Sequence, residues 1–390
     1  MPSRPSDPRT AVLDALRMDG PLTRLELAAR SGLSRTTVSG LLTELTRRRL
    51  VGEVEAPAIS TGGRPATSVA LRPAAGLAVG ADVGRTHVRV ALVDLGHQLL
   101  AERVERLAVE DHPDEALEAA ARLVDQTLAE AGHTRADLVG VGLGVPAPLD
   151  SAGEVGASSI LPGWMGHRPA AELSRRLGVV VRSENDANLG ALAESLWGSG
   201  RGHRIVVHMK AATGIGAGIV VDGALFRGAS GTAGELGHTT VRDGGDICRC
   251  GNRGCLELQV GGPALLAQAR LSGLQVDTLE QLIDRARAGD AAGRRVLLDA
   301  GDQLGMALVN LVNLLNPDVI VFGGELSTAG DLVLTPLRAR VQRAAIAPAA
   351  AAVQVEVAAL GDRAEALGAA LIVVRELDRF DLAGFRDRCA

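Results

Sequence analysis

The stretch that most narrows what this chain can fold into runs from Gly231 to Glu257, because it gathers three of the chain's four cysteines around one histidine. His238, Cys248, Cys250 and Cys255 offer one imidazole and three thiols, a complete tetrahedral shell for a structural Zn²⁺, and the intervening glycines let the backbone wrap a small ion. A closed shell leaves no position for a catalytic water. Such a metal would stiffen a loop that carries Glu235, His238 and Glu257. Two other readings stay open: three incidental cysteines, or a disulfide between Cys248 and Cys250, which a one-residue spacing closes only with strain.

A length of 390 residues calls for two or three domains. The hydrophobic share of 46% fills a substantial core. With 2% aromatics and no tyrosine, that core is built from Ala, Val, Leu and Ile. Charge is unevenly spread: residues 1–72 hold 11 Arg against 7 Asp plus Glu, although the whole chain sums to −5. A basic head on an acidic body points to a polyanionic partner. Every basic residue except Lys210 is arginine, which reads as genome-wide codon bias. The N-terminus lacks the apolar core of a signal peptide and no apolar run is long enough to span a bilayer, so the expected location is the cytoplasm. Thiols stay reduced there, and a Cys/His cluster reads as a metal site. The isolated Cys389 is expected to be inert.

Residues 1–72 read as a winged helix-turn-helix. After a Pro/Ser/Arg leader comes a helix over 11–18. A second over 23–30 buries Leu25, Leu27 and Ala28, and a third over 35–48 buries Val38, Leu41, Leu42 and Leu45. Between the last two, Ser31-Gly-Leu-Ser34 gives a tight turn with Ser34 placed as an N-cap. Arg35, Thr36, Thr37 and Ser39 then face outward from the start of the third helix, the end that reads base edges in double-stranded operator DNA. Ser34 borders that set. Two strand-like runs, 50–55 and 67–71, flank a Gly/Pro tip bearing Arg64, which a wing would carry to a minor groove or a phosphate. The alternative is a three-helix module that binds protein.

The remainder alternates strands and helices. Strands over 77–83, 88–94 and 99–107, a helix over 113–131 and a strand over 138–143 form one unit. Strands over 204–209, 215–221 and 224–226, a long helical region and a strand over 319–322 form a similar second one, giving two α/β lobes around a cleft. A helix over 363–377 returns to the first lobe, and one over 291–315 has apolar surface for core or subunit contacts. Glu184-Asn185-Asp186-Ala-Asn188 opens a helix after a strand, so Asp186 can face the cleft as a proton acceptor, or serve with Asn185 as a cap. Trp164 is either a platform for a sugar or a packing plug. Lys210 is expected at a solvated strand end.

Gly234-Glu-Leu-Gly-His238 followed by Cys-x-Cys-Gly-x-x-Gly-Cys-Leu-Glu resembles the signature of the ROK family, which contains both sugar kinases and sugar-responsive regulators. The resemblance covers essentially the whole chain. It implies an α/β, actin-like, ribonuclease H-like two-lobed body with a small lobe over 73–188, to which residues 363–390 return. A large lobe over 189–362 would hold the zinc site and dimer contacts. It implies Asp186 as general base in a kinase, and Asn185, Asp186, Glu235, His238 and Glu257 as the groups that bind a sugar.

The family's phosphate turn resembles Asp-x-Gly-Gly-Thr-Lys. This chain reads Asp82-Val-Gly-Arg85-Thr-His87, with a bulky Arg85 where successive small residues should let amides approach an anion. Thr213-Gly-Ile-Gly-Ala-Gly218 and Gly323-Gly324 resemble the second hairpin and the adenosine turn, retained for turn geometry or for ATP. The resulting expectation is a transcriptional regulator, a repressor of carbohydrate genes, with a sugar or sugar-phosphate effector. The assembly would be a homodimer or dimer of dimers, with no membrane partner. The alternative is an ATP-dependent, glucokinase-like hexose kinase with an appended head.

Overall fold

The computed structural model describes residues 8–48, 50–55, 67–72, 76–150, 153–156 and 161–379. Arg64 and Cys389 lie outside them. At the N-terminus stand α1 (Pro8–Asp19), β1 (Leu22–Thr23), α2 (Arg24–Ser31), α3 (Arg35–Arg47), β2 (Val51–Glu55) and β3 (Thr67–Leu71). The strands pair in the order β1-β3-β2 beside the three helices. Thr23 and Glu26 form a reciprocal capping box at the start of α2, Gly32 ends it at φ 69°, and the Ser34 side chain caps α3. Leu27, Val38, Leu42 and Leu45 are buried and Leu41 is half-buried, but Leu25 is 56% exposed. Leu25 and Leu27 lie two residues apart on a helix, about 200° around its axis, so only one of them reaches the core.

The body holds two five-stranded sheets of one design. The first is built from β4 (Leu77–Val83), β5 (His87–Asp94), β6 (Leu99–Arg106), β7 (Leu138–Val145) and β8 (Val181–Asn185), with α4 (Pro113–Glu130), α5 (Pro169–Leu177) and α6 (Asp186–Trp197). The second has β9 (Ile205–Ala211), β10 (Ile215–Val221), β11 (Ala224–Leu225), β12 (Val319–Gly323) and β13 (Gln354–Val357). Its helices are α7 (Glu257–Val260), α8 (Gly262–Leu271), α9 (Leu279–Arg287), α10 (Ala291–Leu315), α11 (Asp331–Ala344) and α12 (Ala347–Ala352). The orders β6-β5-β4-β7-β8 and β11-β10-β9-β12-β13 match position for position. In each, an antiparallel three-strand meander is followed by two strands parallel to the first. Each sheet is open and mixed; β8 is the strand expected ahead of Asp186, shifted toward it, and β13 is added to the expected second unit.

Central strands β4 and β7 are buried along their whole length, as parallel strands covered on both faces must be. Part of that cover is the last helix, α13 (Ala364–Arg379), which returns to the first lobe. It lies so close that a Cβ on Gly80 would fall 1.7 Å from the Ala366 carbonyl oxygen, and one on Gly142 1.8 Å from that of Ala369. Only glycine admits such an approach. The expected lobe boundary at 188 falls in the first turn of α6, which packs on α13 and also on β9 and β10. The core of the N-terminal unit is continuous with the body: Val12, Leu13 and Leu16 of α1 share one apolar cluster with Leu95, Leu371, Val373 and Val374.

Candidate functional site

The cleft is built where the N-terminus of α6, the turns β4–β5 and β9–β10, and the loop before α7 converge. β8 delivers Glu184 and Asn185 to the junction. Asn185 caps α6, its Oδ1 accepting from Asn188 N at 3.2 Å, while its Nδ2 donates to Ala147 O at 3.4 Å. Glu184 accepts from Asn185 N and Asn188 Nδ2 and pairs with Arg227 of the second lobe at 2.6 Å. Asp186, nearly buried, accepts from Ala187 N through Oδ1 at 2.8 Å and from Lys210 Nζ through Oδ2 at 2.9 Å.

Lys210 is therefore not at a solvated strand end. Its ammonium is enclosed and also pairs with Glu365 Oε1 at 3.0 Å. Burial opposes its charge, but Asp186, Glu365 and Asp82 outweigh that and hold it well above the ordinary lysine range. Burial pushes Glu365 up to about 7, with Lys210 pulling the other way. Lys210 and Glu365 were outside the expected set of site residues. The available signal was a single lysine in a chain that otherwise uses arginine.

Glu235 and Glu257 face the same space. Burial, then the carboxylates of Asp186 and Glu257, push Glu235 up to about 7. Glu257 accepts from Ile215 N at 2.9 Å, tying the start of α7 to the second hairpin. Arg85 reaches across from the first hairpin, its guanidinium 3.9 Å from Glu257 and beside Gly214. Its φ is not positive, so arginine here strains no backbone and only its side chain distinguishes the turn. His87 Nε2 sits 2.9 Å from Asp82 Oδ2. Trp164 is fully buried and donates to Val109 O at 3.0 Å, a packing plug with no face open to a sugar.

His238, Cys248, Cys250 and Cys255 form a cluster able to coordinate a metal, with all four ligand atoms within 4.8 Å of one another. The thiols are free, which removes the disulfide reading. Cys248 Sγ lies 3.6 Å from His238 Nδ1 and Cys250 Sγ 3.7 Å from Cys255 Sγ. A tetrahedral ion with sulfur at ~2.3 Å has edges of roughly this length, so the donors fit. Burial and the neighbouring thiols push Cys255 up to about 12, which a bound cation would reverse. His238 Nε2 points away from the cluster, 3.9 Å from Glu235.

At the other end of the molecule Ser34, Arg35, Thr36, Thr37 and Ser39 are all exposed on one end of α3. The Ser34 and Thr37 hydroxyls meet at 2.8 Å and Ser34 Oγ accepts from Thr37 N. These two are partly spent on the cap, and Arg35, Thr36 and Ser39 are the freer groups.

Comparison with known proteins agrees with both parts. Residues 78–376 match the ROK family model, and residues 10–55 match the IclR helix-turn-helix domain. The xylose repressor of Caldicellulosiruptor bescii is 28% identical over 92% of this chain and 93% of its own length. The glucokinase of Thermotoga maritima is 31% identical over 76% of this chain and 96% of its own. The crystal structure of a ROK-family transcriptional regulator homologous to E. coli Mlc superposes with a TM-score of 0.79 at 23% identity, covering 97% of this chain and 98% of that one.

Proposed function

Since the chain belongs to the ROK family, we propose that it is a sugar-responsive, DNA-binding transcriptional regulator that represses carbohydrate genes. One observation carries this reading: a winged helix-turn-helix with an exposed α3 N-terminus shares an apolar core with a body whose cleft gathers Asp186, Glu235 and Glu257. The xylose repressor matches head and body together, whereas the glucokinase matches little more than the body. Double-stranded operator DNA meets Arg35, Thr36 and Ser39, with Ser34 and Thr37 bordering them. A homodimer, or dimer of dimers, would present two such helices to a palindromic site about one helical turn apart, ~34 Å.

In the cleft, a sugar or sugar phosphate would donate hydroxyls to Asp186, Glu235 and Glu257 and bond Asn185 and His238. His238, Cys248, Cys250 and Cys255 would hold Zn²⁺. Such an ion would supply structural cross-linking, and His238, fixed in orientation, would carry its effect to the ligand. No helix among the described residues is long and apolar enough to cross a membrane.

The enzyme reading has Asp186 in its favour, as the general base of a hexose kinase. Against it, Arg85 lies between the two hairpins where nucleotide phosphates would seat, and Asp186 already holds an ammonium. A gel shift on the upstream region of the gene, titrated with aldoses and their phosphates, tests the regulator. Affinity should fall steeply with salt and change with one ligand. Sugar-dependent ADP release at ordinary kinase rates, lost in Asp186→Asn, would overturn it.

A further inference from the structure

Strand β9 presents two different faces. Val207, Met209 and Ala211 enter the core of the second lobe, whereas Val206 packs with Ala191 of α6. His208 and Lys210 follow on the α6 side, and Lys210 is the chain's only lysine. Its ammonium lies 2.9 Å from Asp186, the first residue of α6, and 3.0 Å from Glu365, the second residue of α13. One charge thus holds the N-termini of two helices.

Those helices are packed backbone to backbone, since a Cβ on Gly368 would fall 2.0 Å from the Leu189 carbonyl oxygen. The far end of α13 meets the DNA-binding head, and that of α6 approaches it through the β5–β6 turn. Trp197, the last residue of α6, donates through Nε1 to His97 Nδ1 at 3.2 Å, with the rings edge-on at 4.8 Å. His97 occupies the β5–β6 turn two residues after Leu95, whose carbonyl accepts Arg17 Nε of α1 at 3.2 Å. Leu371, Val373 and Val374 of α13 share the apolar cluster of Val12, Leu13 and Leu16.

We propose that Lys210 is the joint through which occupancy of the cleft is transmitted to the head, a positioning residue that rests on the regulator reading above. A ligand hydroxyl that donates to Asp186 competes for the oxygen Lys210 now holds. The ammonium then shifts its weight to Glu365, and α6 and α13 settle differently against each other. Both helices are rigid, so a change at their N-termini appears where α1 sits. Lysine suits this role better than arginine, because a compact ammonium with three rotatable donors redistributes between two carboxylates, while a planar fork demands one fixed geometry.

The test uses the full chain, a duplex selected by the wild-type protein from a random pool, and D-xylose, D-glucose and their phosphates as probes. In wild type, the active sugar should change duplex affinity by roughly 5- to 150-fold. In Glu365→Gln, sugar affinity and sugar-free duplex affinity are measured by calorimetry as that variant's own reference values, and the sugar-induced change in duplex affinity should fall below about twofold while sugar still binds. Lys210→Met should lose the same response, with its sugar affinity free to change because it touches Asp186. A wild-type response in Glu365→Gln overturns the inference, and that variant decides the matter if Lys210→Met fails to fold. Wild type whose duplex affinity no probe alters overturns the regulator reading, and this inference with it.

Discussion

A histidine buried in its neutral form sets a lower pH limit on stability, and two residues here qualify. Burial, followed by Arg17 and Arg375, holds His97 down to about 2, and burial with Lys210 holds His208 down to about 3. The unfolded chain protonates both near 6.5 while the folded one refuses the proton. Their stabilising share is therefore complete above pH 6.5 and is lost as pH falls toward those lower values, at up to ~1.4 kcal/mol per unit for each residue. At pH 5 each should have cost about 2 kcal/mol. Urea midpoints at pH 7.5 and 5.0 should differ markedly in wild type and by less in His97→Asn. An equal drop in both would show that His97 is not responsible. At the metal cluster, Cys250→Ser should bring zinc well below one per chain by elemental analysis and weaken sugar binding, and full zinc in that variant would count against the ligand set. The cluster was legible because its ligands lie within 18 residues of one another, whereas Lys210 meets Glu365 only after the chain has closed a whole lobe. Local pattern carries no trace of such a pairing, and Arg85's φ was equally invisible.

Helices and strands were read with better fidelity wherever their burial is periodic or continuous. Residues 291–315 and 215–221 were placed to the residue, since α10 keeps a helical stripe and β10 an unbroken apolar run. β13 was missed because Gln354-Val-Glu-Val357 is an edge strand with one buried residue. Glycines show the same limit from another side, as sequence alone cannot tell a tight contact from an idle one. Gly142→Ala would drive a methyl into the Ala369 carbonyl and should destabilise the body by about 3 kcal/mol or prevent folding. Gly40, on α3 with nothing within 4 Å, should instead gain roughly 0.5–1 kcal/mol as alanine. Thermal melts of the two variants check this, and a well-behaved Gly142→Ala protein would mean that α13 sits less closely on its sheet than described.

Across the whole molecule, besides the packing of α6 on β9 and β10, three ion pairs bridge the two lobes: Arg85 to Glu257, Arg227 to Glu184, and Arg249, between two of the cysteines, to Glu110. Phosphoryl transfer would need both hairpins free to cradle phosphates and Asp186 free to take a proton, all at once. Three contacts occupy those groups here: the Arg85 guanidinium lies beside Gly214, His87 sits on Asp82, and Lys210 holds Asp186. Removing one should not restore the others. Arg85→Gly is therefore expected to bind a non-hydrolysable ATP analogue more tightly than wild type, since the space between the turns opens. It should still form no sugar phosphate above background. Calorimetry and a coupled ADP assay on the same preparation separate the two effects. If Arg85→Gly turned over glucose at ordinary rates, the remaining contacts would not be barriers, and the distance from kinase to regulator in this fold would be one side chain.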